Sequence, residues 1–354
     1  MMRGDHPSHR AAVEIEPMTA LVVRRRSLAR LAWCGLFAAC AAAAVLASLR
    51  FGSNGLAGSD VVEVFRGAGS ATARTIVMEQ RIPRTLLGLL CGAALGVAGS
   101  LMQSLTRNPL AEPGLMGVNA GASVAVVLSV VLFGPQNIHV YMLAALGGAA
   151  VAGAGVFVLG RGETGSIVRL ALAGVALSAA LAAANQALVL SNRDAFDEFR
   201  LWVAGSLEGR DVTVVESIGL MVAVGLVLAV AIAPSINALA LGEESGVALG
   251  VRLARTQTIT LVSVALLTGA ATAAMGPVAF VGLAVPFVVR RAVGNDVRWV
   301  NAGSLLLGPA WLLAADVLAR VVIAPEETQV GIIATLAGGP LFMAMMSGRQ
   351  VRSL

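Results

Sequence analysis

The sequence contains no lysine, and charged residues of all kinds make up only 13% of its 354 positions. Aromatic residues are almost as scarce, at 4%, with a single tyrosine. Segments able to form a large water-exposed domain are missing too, which leaves no room for a receptor or scaffold with soluble regions. The three cysteines, Cys34, Cys40 and Cys91, all lie in apolar runs, without CxxC spacing or a nearby histidine. They read as small buried hydrophobes rather than disulfide partners or metal ligands, and no metal site is expected. No GxxxxGK[ST] loop, no HExxH and no nucleophile with a base partner occurs, so the chain offers no catalytic machinery and no cofactor site of its own.

What is abundant is apolar chain. Hydrophobic residues reach 57%, glycine alone contributes 40 residues, and the mean hydropathy is +0.84. This balance defines an all-α polytopic membrane protein whose spans pack through small residues. Apolar runs recur near 31–49, 85–104, 115–133, 141–160, 168–190, 214–233, 258–274, 277–289, 303–323 and 330–346. About ten transmembrane helices are therefore expected, five before the polar segment 191–211 and five after it. A membrane domain over 29–346 lies between short tails, 1–28 and 347–354. Most arginines fall in the tails or in the reversals near 105–114, 161–167, 234–257 and 290–302, which places those segments and both termini in the cytoplasm. The net charge of +5 follows that distribution and carries no nucleic-acid signal.

The most informative stretch is 81–122, RIPRTLLGLLCGAALGVAGSLMQSLTRNPLAEPGLMGVNAGA. Arg81 and Arg84 flank Pro83 at the head of an uncharged run whose glycines and alanines admit a second helix closely. Pro109 and Pro113 then end the run in a polar reversal. Arg50, Arg66, Arg74, Arg81 and Arg84 crowd one external segment, against the general orientation; either a long loop tolerates them or they face an acidic partner. Residues 50–80 are amphipathic enough for a short surface helix. Trp202 reads as an interfacial anchor.

The segment 234–257 is the longest cytoplasmic reversal and is patterned as a pair of short helices. Leu241, Gly242, Glu243, Glu244, Ala248, Leu249 and Gly250 form its centre, with the two glutamates suited to a first helical turn. It is either a docking surface for a soluble partner or a folded loop. Pro277 and Pro286 break one short span, which frees carbonyls that must face protein or a water-filled path. Ser178, Asn185 and Gln186 share one face of the fifth run and either glue helices or line a cavity. Asp316 and Arg320, at i and i+4, can pair.

Together these residues resemble the permease subunits of the bacterial ABC importer family for iron siderophores, haem and cobalamin, from about residue 30 to 347. The specific pieces are RIPRT at 81–85, Gln103 with RNPLAEPGLMGVNAGA at 107–122, WVAGSL at 202–207, ALGVRLARTQ at 248–257, GPVAFVGL..P at 276–286, and Asp316 to Arg320. Within the family the chain is most similar to the ferric enterobactin subunits. Departures are Phe287 and Val297 where histidine is usual, and EETQVG at 326–331.

The resemblance implies a cobalamin-importer-like permease fold of two five-helix halves in the cytoplasmic (inner) membrane. It implies a second permease subunit, identical or not, two ATP-binding subunits carrying ATP and Mg, and an extracytoplasmic substrate-binding protein. Arg81, Arg84 and Arg320 would dock that protein, and the 234–257 segment would couple to the ATPase. Ser178, Asn185 and Gln186 would line the pathway, and Gly165, Ser166 and Ile167 would close its cytoplasmic end. The expected cargo is a ferric siderophore, with haem or cobalamin as the alternative. An ion-coupled transporter without an ATPase would need ionisable groups near the midplane, and the spans hold almost none.

Overall fold

A computed structural model of the chain describes residues 8–53, 55–160 and 167–347. Among these residues the structure is helical throughout, without strands. The first part of the chain supplies α1 (Ser8–Arg50), α2 (Gly58–Phe65), α3 (Ala71–Thr75), α4 (Ile82–Thr106), α5 (Val118–Phe133), α6 (Ile138–Gly160) and α7 (Ile167–Ser191). After them come α8 (Arg193–Val203), α9 (Val212–Leu239), α10 (Glu243–Ala248), α11 (Leu253–Met275), α12 (Val281–Val293), α13 (Val297–Val321) and α14 (Val330–Ser347). Among the described residues seven helices are long and apolar enough to cross a membrane, α5 and α14 are shorter apolar helices, and the 13-residue α12 occupies the remaining apolar run of the sequence.

The centre of the bundle is α4. It packs against α13, α11, α12 and α9, so the two halves of the chain interlock rather than sit side by side. The reason is its row of small residues. Gly92 lies on the backbone of Gly308 and Pro309 in α13, Gly96 on the carbonyl of Ser304, and Gly99 on Gly282 of α12. In a bilayer the lipid tails compete with any apolar side chain, so helix association rests on such backbone proximity. By contrast α1, α7 and α9 turn most of their apolar surface outward.

Three segments depart from continuous helix. The expected surface helix between 50 and 80 is α2 followed by α3 and a π-helical stretch, Ile76–Arg81, that runs into α4. After α4 the chain leaves in a left-handed residue, Arg107, and climbs back through the polar reversal until Pro113 touches Gly282. Between α11 and α12, residues 276–280 are non-helical, with Gly276 and Phe280 both at positive φ. Two sequence expectations need correction. Residues 234–257 hold one short helix, α10, rather than two, because α9 continues through Pro234 to Leu239. Trp202 is no interfacial anchor: it lies on the inner face of amphipathic α8 and is buried.

Candidate functional site

At the end of the bundle where α1 finishes and α4 begins, charges meet in a buried cluster. Arg84 makes a two-nitrogen contact with Asp316, Nε at 3.0 Å and Nη2 at 2.8 Å from Oδ1. The Nη2 of Arg320, one turn along α13, donates to the other Asp316 oxygen at 2.6 Å. Arg84 Nη1 donates to Glu327 at 2.7 Å, and Ser53 Oγ donates to the second oxygen of that glutamate at 2.7 Å. Arg320 also donates to the carbonyls of Ser48 and Phe51, each at 3.1 Å. Arg81 Nη1 donates to the carbonyls of Leu49 and Arg50, at 2.7 and 3.1 Å. Both arginines thereby satisfy the last carbonyls of α1, where a cation also complements the helix dipole.

A hydroxyl relay ties the same helices. Thr85 Oγ1 donates to the Arg81 carbonyl at 2.7 Å, so Ser48 Oγ, 2.8 Å away, donates to Thr85 and accepts from Arg320. The sequence placed Arg81, Arg84 and Arg320 at an external face and paired Asp316 with Arg320. The structure brings all four together, but inside: the arginines are only 4%, 9% and 2% exposed. Free positive charge at this end belongs instead to exposed Arg66 and Arg74. Glu327, which sequence reasoning gave no role, forms the rim.

Burial alone would raise the Glu327 carboxyl, but the Ser53 hydroxyl and the Arg84 and Arg320 guanidinium groups outweigh it and hold it below the ordinary glutamate range. A depressed folded-state value means stabilisation that is complete above the unfolded glutamate value and fades as pH falls through the folded one. Melting temperature should therefore drop on acidification below about pH 4.5 more steeply in the wild type than in Glu327→Gln, measured side by side in detergent. Parallel curves would remove Glu327 from the ionised network.

Midway along the bundle a half-open groove of about 570 Å³ is lined by Glu112, Asn119, Val203, Pro277 and Thr335, among others. Three breaks in helix create it. The re-entrant 107–117 segment carries Glu112, whose Oε1 accepts from the Phe280 N–H at 3.3 Å. The WVAGSL loop passes between the ends of α11 and α14, with Ser206 N–H bonded to the Met275 carbonyl at 2.7 Å and Gly331 N–H to the Gly205 carbonyl at 3.3 Å. Asn119 is held by Thr272 at 2.8 Å. This irregular backbone is tolerated where it lines a cavity.

The sequence-predicted pathway residues lie elsewhere. Ser178 and Asn185 turn into the protein, each with a buried oxygen lacking a partner, and Ser178 sits by the Gly117 turn. Gln186 is exposed. None of the three lines the groove. Glu112 and Asn119 were visible in the polar break of the sequence, but spacing alone could not show that this segment re-enters the bundle. Gly165 and Ser166 of the predicted cytoplasmic gate lie outside the described residues, and Ile167 opens α7.

At the far end of α4, about 37 Å from the cluster at 1.5 Å per residue over 25 residues, stands α10. Glu243 and Glu244 occupy its first turn, as the sequence suggested, and Gly250, at positive φ, ends it. Gly246 lies flat on Leu239, and Arg107 donates to the Leu239 carbonyl at 2.6 Å, which fixes α10 to the ends of α4 and α9. Leu241, Val247, Ala248 and Leu249 all point away, with Leu241 70% and Leu249 66% exposed. These four apolar side chains, exposed together at one end of the bundle, form an unpartnered apolar patch.

A bundle of long apolar helices, broken around a central groove and carrying an apolar knob at one end, defines a multi-pass transport permease. The chain belongs to the FecCD transport family, whose model matches residues 40–348. It is 44% identical over 301 residues to the ferric enterobactin transport system permease protein FepD of Escherichia coli, covering 84% of this chain and 90% of that one. It is 39% identical over 284 residues to the hemin transport system permease protein HmuU of Yersinia pestis, covering 77% and 84%. A solved metal-chelate type ABC transporter in an inward-facing conformation superposes with a TM-score of 0.78 over 88% of this chain and 98% of the other, at 22% identity, which bears on the fold alone.

Proposed function

We propose that this chain is the membrane-spanning subunit of an ABC importer in the cytoplasmic membrane, with both termini cytoplasmic, and that its cargo is a ferric siderophore. The 44% identity to a ferric enterobactin permease carries the cargo. The exposed leucines beside α10 support the coupling: they suit a cytoplasmic ATPase that binds ATP and Mg, two copies serving two permease subunits. The similarity to FepD and also, at 34%, to FepG of the same organism favours a second, homologous permease rather than a copy of this chain. Haem is the second reading, because HmuU matches at 39%.

An extracytoplasmic binding protein docks at the arginine-cluster end. There Glu327 already occupies the outer nitrogen of Arg84, so a docking carboxylate takes over that place, while Arg81 and Arg320 hold the floor. Exposed Arg66 and Arg74 steer the approach. The groove past Glu112 and Asn119 forms the cargo path with the partner permease, and α7, with Ser178, Asn185 and Gln186, is the helix that moves beside it. The permease supplies states of different stability that ATP binding selects; it supplies no chemistry.

The test is co-purification from the native host, then ATP-dependent uptake of iron chelates into vesicles. Leu241→Glu with Leu249→Glu should release the ATPase and abolish uptake while the permease stays folded, since both side chains are exposed. Undiminished co-purification of the ATPase with that double variant would exclude α10 as the coupling surface. Uptake that persists without ATP would exclude the importer itself.

A further inference from the structure

A second recess lies away from the groove, on the lipid side of the bundle. Helices α6 and α9 both pack on α11, and between them remains a furrow of about 320 Å³ with α11 as its floor. Its walls are Ala150, Ala154 and Phe157 of α6, Met221 of α9, and Val262 and Leu266 of α11. The floor runs from Thr258 to Gly269, about 16 Å at the helical rise. No charged side chain lines it, and the Thr258 hydroxyl is spent on the Ala254 carbonyl at 2.8 Å. Such a recess gives water nothing to bind.

What fills it is decided by size and by its surroundings. Another helix, about 10–12 Å across, would need several times this volume over the same length. A single hydrocarbon chain matches both the width and the length. Val151 and Val158 of α6 and Leu220 and Val224 of α9, around the furrow, are exposed within apolar spans, so it opens towards bilayer hydrocarbon.

One end carries a cation. Arg255 lies three residues before Thr258 and seven before Val262, hence on the furrow face of α11, one turn beyond its end. Its side chain is exposed and makes no ion pair or hydrogen bond among the described residues. Side chains on a helix lean towards its N-terminus, here out of the span and towards headgroup level. We propose that the α6–α9 furrow binds an anionic phospholipid, one acyl chain lying along α11 and the headgroup phosphate meeting Arg255. This inference does not depend on the cargo or on the transport reading.

The purified assembly, reconstituted in equimolar phosphatidylglycerol and phosphatidylethanolamine and then stripped with mild detergent, tests it by native mass spectrometry. Wild-type protein should retain phosphatidylglycerol preferentially. Arg255→Gln should reduce that preference about fivefold, the weight of one interfacial cation. Ala154→Phe should remove the retained lipid by filling the furrow. A photoreactive phosphatidylglycerol should attach to α6, α9 or α11 of the unmodified protein, a readout that needs no variant. An unchanged headgroup preference in Arg255→Gln, an unchanged lipid number in Ala154→Phe, or labelling confined to other helices or to a partner subunit would each overturn the proposal.

Discussion

Replacing Asp316 by alanine is expected to destabilise the protein by about 3–5 kcal/mol, the penalty of leaving a buried charge without its partner. Asp316 is fully buried and holds Arg84 and Arg320 on its two oxygens. Without it, Nε and Nη2 of Arg84 lose their acceptor, Nη2 of Arg320 keeps only the Ser48 hydroxyl, and the repulsion between two guanidinium groups is no longer screened. Glu327→Gln makes the comparison. Glu327 sits at the partly buried rim, its side chain 14% exposed. In the amide both the Ser53 and the Arg84 contacts survive as neutral hydrogen bonds, so the loss is smaller than that of the fully buried Asp316. Unfolding followed by denaturant in detergent should place Asp316→Ala well below Glu327→Gln. Equal losses would mean that the cluster is held by the helices around it rather than holding them.

Gly99→Ala should destabilise by about 3 kcal/mol or more, at the severe end of overpacking. Its added methyl would meet the carbonyl of Gly282, and that backbone has no rotamer to yield. Gly92→Ala should act alike, because the methyl would stand 2.6 Å from both N and Cα of Pro309. A control lies in the same fold. Gly219, in α9, has open space where a Cβ would go, so Gly219→Ala should be neutral or stabilising by about 0.5–1 kcal/mol through its helix propensity. Thermal stability of the three variants in one detergent decides the matter. A harmless Gly99→Ala would show that α4 and α12 can separate without loss.

Much of the architecture was legible from the sequence because membrane spans announce themselves by length and hydropathy. Each of the ten apolar runs contains a helix, seven of them long enough to span, and the glycine-rich head of 81–122 is the central helix. What spacing could not reveal was the third dimension. Periodicity showed Asp316 and Arg320 on one face, yet only the fold shows that Arg84, 232 residues away, closes on the same carboxylate. Polarity made Ser178, Asn185 and Gln186 look alike, whereas α7 turns two inward and one outward. The proline-rich reversal was recognised as a break, but its re-entry to Gly282, which carries Glu112 into the groove, depends on a glycine in another helix. The reversal expected from residue 234 begins only after Leu239, because α9 continues through Pro234.

The glycine contacts of α4 also divide the molecule mechanically. Joined to α13 and α12 by backbone touching backbone, α4 has almost no side-chain slack through which to bend or slide. Helix α14 touches α13 and α12, and α7 touches α5, α6 and α8, with backbone-close approaches confined to their first turns, at Gly331 and Leu170. Movement around the groove therefore falls to these flanking helices, with α4 and α13 acting as a stationary spine. Deuterium should enter the α4 amides last and those of α7 early, so that the stiffest part of the protein is the part with the smallest side chains.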